Sequence, residues 1–80
     1  MEIGVARPVI RAVFRSEHEL GNLLELLENH CNEAEYKIYA KAIASAIASI
    51  NLEVMNRIID AHPGLEAEID ASIKKYDRFL

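Results

Sequence analysis

The sequence predicts an all-α fold, a small antiparallel helical bundle of three helices. Apolar residues recur at spacings of three and four along most of the 80 residues, which is the period of an amphipathic helix. Start and stop signals divide this pattern into three stretches. Residues 42–50 repeat the block Ala-Ile-Ala-Ser, and because alanine is the strongest helix former, this run is assigned to a helix although it also alternates by two.

The first helix is expected over residues 8–30, after an extended lead-in over residues 1–6. Pro8 suits the first turn of a helix, where its missing N–H needs no partner. The apolar stripe is weakest around Ser16, which together with Glu19 spells a capping box. Two versions remain open: one helix with a weak point, which we favour, or two helices broken near Ser16, which would make a bundle of four.

The second helix is expected from about Glu33 to Ala61. Asn32 and Glu35 form an N-cap signature before it, and Pro63 ends it because the residue before a proline avoids the helical region. The apolar stripe of this helix has spacings of four and three and comprises Tyr36, Ala40, Ile43, Ile47, Ile50 and Val54.

The third helix is expected to start near Pro63 or Gly64. Acidic residues come early in this stretch and basic residues come late, which suits the helix dipole. Phe79 and Leu80 follow at the end of the chain. Two large apolar residues in that position are expected to dock, either on this domain or on a partner.

Small residues follow the second helix at spacings of four. They are expected to set the closest approach of two helices, while Ile43, Ile47, Ile50 and Val54 pack the centre. The small residues would meet either the chain's own helices or a second copy. This row consists of Ala42, Ala46, Ser45 and Ser49.

Length and composition predict one domain with a small core. A chain of 80 residues gains little stability from its core alone, and with a single cysteine no disulfide can add to it. Self-association is the remaining common source of stability, so a homodimer is expected. The net charge of −4 argues against general binding to nucleic acids, which needs a basic surface.

Three arginines near the start of the chain form the one basic stripe. Arg7, Arg11 and Arg15 are spaced by four and share one helix face. We expect them to pair with acidic neighbours, for example Arg15 with Glu19. They are also the best candidate surface for a protein partner, or for nucleic acid if the protein is a nucleic-acid-binding regulator.

Residues able to carry catalysis or hold a metal are sparse. No Glu-x-x-His pair is present, and His30 and Cys31 are neighbours that diverge on a helix. The serines Ser45 and Ser49 have no base nearby, and no glycine-rich phosphate loop occurs. No enzyme activity, cofactor or metal is expected, with a small metal- or ligand-binding helical protein as an alternative.

The cytoplasm is the expected location. No secretory signal is visible, and a single free cysteine fits a reducing compartment. The most apolar stretch, residues 38–52, is interrupted by Lys41 and is shorter than the ~20 residues of a membrane span.

Together these patterns predict a small, non-enzymatic protein-interaction or regulatory module that acts as a helical homodimer. The candidate interaction residues are Arg7, Arg11, Arg15, Ala42, Ile43, Ala46, Ile47, Ile50, Val54 and Phe79.

Overall fold

The computed structural model describes residues 1–80 and confirms the all-α prediction. The helices are α1 (Ile3–His30), α2 (Glu33–Ile50), a π-helical segment (Asn51–Met55), α3 (Asn56–Ala61) and α4 (Gly64–Tyr76). The π-helical segment joins α2 to α3 without a break, so these three form one rod, which we call the long second helix. Three helical rods therefore make up the fold.

Helix α1 runs through both places where the sequence suggested an interruption. Ser16 lies inside the helix and its Oγ donates a hydrogen bond to the Ala12 carbonyl at 2.8 Å, so the version with two helices is wrong. The expected extended lead-in is also wrong, because α1 begins at Ile3 and Pro8 lies inside it. The reason is tertiary: the side chain of Ala6 is completely buried in the core, which stabilises helix on both sides of it.

The long second helix agrees with its predicted bounds. Asn32 Oδ1 accepts a hydrogen bond from the Glu35 N–H at 2.8 Å, and the Glu35 side chain accepts one from the Asn32 N–H at 3.4 Å, which completes the capping box. The π-helical segment adds one residue to a turn. Met55, five residues after Ile50, is buried in this region together with Ile58, which continues the stripe four residues after Val54.

The C-terminal residues fold back onto the protein. Asp77 ends α4 in the left-handed conformation, with φ of 60°. Ser72 Oγ then donates to the Arg78 carbonyl at 2.7 Å and accepts from the Leu80 N–H at 3.0 Å. This turn places the Phe79 side chain in the core, where it is only 6% exposed, whereas Leu80 remains 48% exposed.

The buried core lies at one end of the molecule. It is formed where the first half of α1, the last part of the long second helix and α4 meet. Only eight of the 80 residues are buried, and none of them lies in α2 or in α1 beyond Val13. The core consists of Ala6, Ile10, Val13, Met55, Ile58, Leu65, Ile69 and Phe79.

Beyond the core, α1 and α2 continue side by side as a two-helix hairpin. The molecule measures 44 × 26 × 16 Å, and its radius of gyration is 14.9 Å, against about 12 Å for a compact domain of this length. The turn at Cys31 and Asn32 forms the tip of the hairpin. Since α4 covers only the core end, the hairpin tip has no third helix against it.

Candidate interaction surfaces

The residues between the two hairpin helices are half-buried rather than buried. On α2 they are the predicted stripe, including Ile43 and Ile47, and on α1 they include Leu20, Leu24 and Leu27. Two helices alone cannot exclude water from the seam between them, because each helix touches the other along one narrow line. The predicted centre of packing is therefore present but incompletely covered.

The side of the hairpin that faces away from α4 is apolar along most of its length. On α1 the positions 5, 9, 12, 16, 20, 23 and 27 share this side by helical spacing, and none of them carries a charge. Val5, Leu23 and Tyr39 on this side are 52%, 42% and 52% exposed. We call the exposed part of this surface the open face, and its members are Val5, Leu23, Tyr39, Ala42 and Ala46.

The row of small residues on α2 is not buried against another helix of the same chain. Ala42, Ser45, Ala46 and Ser49 are all exposed. Ala42 and Ala46 lie on the open face beside Tyr39, one and two turns along α2. Of the two placements that the sequence left open, burial against the chain's own helices is not what the structure shows.

The arginine stripe is largely used within the protomer. Arg7 pairs through two nitrogens with the carboxylate of Glu68 on α4, at 2.8 and 3.2 Å. The hydrogen bond between them, with the attraction of the charges, lowers the pKa of Glu68 and raises the pKa of Arg7. Arg11 Nη2 donates to the Leu80 carbonyl at 3.1 Å, and its guanidinium lies 5.3 Å from the centre of the Phe79 ring.

Arg15 forms no ion pair, so the pairing with Glu19 expected from the sequence is wrong. The ion pairs of the protein are Arg7–Glu68, Lys37–Glu33 and Arg57–Glu53. The stripe therefore leaves one guanidinium unpaired. Phe79, predicted as an interaction residue, packs in the protomer's own core and is not part of an exposed surface.

A groove of about 930 Å³ lies beside the C-terminal turn, on the side of the hairpin that α4 occupies. Phe14, Ile47 and Ile73 contribute apolar surface to it, while Arg15 and Arg78 contribute cationic groups. This groove could not be predicted from the sequence, because it depends on the chain folding back after Asp77.

Glu17 lies in the same groove at a position that continues the core stripe of α1. It follows Val13 by four residues and precedes Leu20 by three, so its stem packs between helices. Its Oε1 atom is buried and has no hydrogen-bond partner. Burial raises the pKa of this carboxyl, because removal from water disfavours the charged form.

Metal ligation and membrane insertion are two further possibilities for the protein's side chains and helices. No three His, Cys, Asp or Glu side chains come together in a way that could hold a metal ion. The long second helix, residues 33–61, is long and apolar enough by length and composition to cross a membrane, and 6% of its apolar window is buried. Length and composition alone do not distinguish a membrane span from the core helix of a soluble protein, which passes the same test.

The fold and these surfaces define a class: a small all-α protein whose long helical hairpin carries a short helix on one side and an open apolar face on the other. Comparisons with protein-family models, curated proteins and solved structures find no match for the chain. Its function is therefore inferred from its own surfaces.

Proposed function

We propose that the protein is a non-enzymatic protein-interaction module of the cytoplasm that works as a homodimer, with the open face of one protomer packed on that of another. The observation that carries the proposal is the largely apolar surface that the protomer leaves in water. Exposed apolar patches of this kind are typical of association surfaces.

The area of the protomer supports a second copy as the occupant. Its accessible surface is 5851 Å². A compact monomer of 9.0 kDa would expose about 4,900 Å². The excess of about 1,000 Å² resembles the ~800 Å² that each partner buries in an interface of standard size. A second hairpin would cover the open face and complete a four-helix arrangement around the half-buried seam.

The α1 positions of the open face carry no charge, which also favours a second copy of the same chain. A two-fold interface brings each patch against itself, so a charged patch would be repelled, whereas an uncharged one is not. The small side chains of Ala42 and Ala46 would allow the two α2 helices to approach closely, which is the role that the sequence suggested for them.

Neighbouring residues on α2 provide the test. Tyr39 lies on the open face, whereas Ile38, 68% exposed, points away from the hairpin. Tyr39→Asp would place a charge in the interface and should dissociate the dimer, while Ile38→Asp should leave it intact. The measurement is light scattering after size exclusion at micromolar protein, where the wild type should weigh about twice 9.0 kDa.

Three outcomes would contradict the proposal. A wild-type mass of one protomer would remove the homodimer. Equal dissociation by both variants would remove the open face as its interface. Partition of the wild type into phospholipid vesicles, lost in Ile38→Asp as well as in Tyr39→Asp, would assign the apolar surface to a membrane instead.

A further inference from the structure

We propose that the groove beside the C-terminal turn binds a small amphipathic carboxylate, whose charged end contacts Arg15 and Arg78 and whose apolar body lies against Phe14 and Ile47. This site is separate from the proposed dimer interface. The groove lies on the side of the hairpin that α4 occupies and the open face lies on the other, so dimerisation leaves the groove accessible.

The size and lining of the groove suit such a ligand. Its volume of about 930 Å³ falls within the ~300–1,000 Å³ of small-molecule sites, which are mostly apolar with a few polar groups that orient the ligand. The ring of Phe14 lies 6.4 Å from that of Phe79, centroid to centroid, and Ile73 adds further apolar surface. An uncharged apolar body would find contacts along this wall.

The charge at the rim favours a carboxylate. Arg15 and Arg78 both line the groove, and neither takes part in any of the ion pairs of the protein. A guanidinium can donate two parallel hydrogen bonds to one carboxylate, a geometry that an alcohol or an amine cannot satisfy. Both side chains are exposed, so they can reorient towards a ligand without loss of an existing partner.

The protein itself shows a similar contact at one end of the groove. Arg11 Nη2 donates to the main-chain oxygen of Leu80 at 3.1 Å while its guanidinium lies over the Phe79 ring. In this contact an arginine beside an aromatic ring binds an oxygen atom of an apolar residue, Leu80. The proposed ligand would repeat this combination at the two arginines that have no partner.

Two acidic residues also line the groove, and they would favour a cationic ligand over an anionic one. Asp77 is exposed at the left-handed end of α4, and Glu17 lies deeper. If these carboxylates determined the preference, an amphipathic cation would bind in place of an anion. Glu17 is only half-exposed, whereas the guanidinium-bearing residues Arg15 and Arg78 are both exposed to an incoming ligand.

Isothermal titration calorimetry with three ligands of equal chain length, kept below micelle formation, tests the proposal. Decanoate, decanol and decyltrimethylammonium share the apolar chain and differ in charge. Decanoate should bind at least about tenfold more tightly than decanol, since a charge-assisted hydrogen bond contributes that much or more. Equal affinity for decanoate and decanol, or a preference for the cation, would overturn the proposal. This test needs only the wild-type protein.

A double variant then tests the two arginines. Arg15→Gln with Arg78→Gln should weaken decanoate by about tenfold or more and leave decanol unchanged. Arg57→Gln is the matched control, because Arg57 lies outside the groove and pairs with Glu53. An equal loss of decanoate affinity in Arg57→Gln would show that the protein attracts anions through its general charge. That result would contradict the proposed site. Circular dichroism checks that each variant is folded.

Discussion

Truncation of two isoleucines in the hairpin to alanine measures how much the core and the seam each contribute to the free energy of unfolding. Ile10 is completely buried in the core, whereas Ile43 lies on the half-buried seam between α1 and α2. Ile10→Ala removes buried methyl groups and leaves a cavity, which costs about 2–5 kcal/mol. A chain of 80 residues is stabilised by about 4–12 kcal/mol in total, so this variant should lose a large share of its free energy of unfolding.

The cost at Ile43 should depend on protein concentration. In a lone protomer the seam is partly in water, and removal of about half-exposed methylene groups costs about 1 kcal/mol. In the proposed dimer the seam is covered, so the cost should rise into the range for Ile10→Ala. The assay is urea denaturation followed by circular dichroism, at protein concentrations below and above the dimer dissociation constant. The cost of Ile10→Ala should be the same at both.

Ile38→Ala serves as the control, because Ile38 is 68% exposed on the outer side of α2. It should change the free energy of unfolding by less than about 0.5 kcal/mol. If Ile38→Ala cost as much as Ile10→Ala, the core would not lie where the structure places it. If the cost of Ile43→Ala stayed near 1 kcal/mol at every concentration, the seam would remain uncovered and the homodimer would be refuted.

Two further changes should stabilise the protein. Glu17→Gln removes a carboxylate that the fold disfavours: because the pKa of Glu17 is raised, its destabilising effect is absent at low pH and grows as pH rises through the titration of the carboxyl group. The melting temperature should therefore rise at pH 7 and not at pH 3, and an equal rise at both would contradict the assignment. Gly21→Ala places a methyl group where no atom lies within 4 Å, and its higher helix propensity should add about 1 kcal/mol; a lower melting temperature would show that Gly21 contacts something the protomer lacks.

The helices could be predicted from the sequence because local signals mark them. The capping box of Asn32 and Glu35 and the Pro63 stop are decided by neighbours in the chain, and both hold in the structure. The start of α1 could not be predicted in this way. Pro8 favours a helix start, but burial of Ala6 outweighs that preference, and the core that buries it includes residues far away in the sequence, such as Met55 and Leu65.

The candidate surfaces depended even more on tertiary contacts. The pairing of Arg7 with Glu68 joins residues 61 positions apart, and no residue near Arg7 in the sequence predicts it. The groove forms only because Ser72 holds the chain after α4. Ala46 is exposed because α4 packs on the other side of the hairpin. The spacing of apolar residues in the sequence does not show which of the two sides α4 covers.

The lengths of the helices explain why so much apolar surface stays in water. Helix α1 has 28 residues and α4 has 13, which correspond to about 42 Å and 20 Å at 1.5 Å per residue. The short helix can therefore cover only about half of the hairpin, and only on one side. Further burial of the seam needs a mostly apolar helical surface as long as the hairpin itself, with small side chains opposite Ala42 and Ala46. The open face of a second protomer meets each of these requirements.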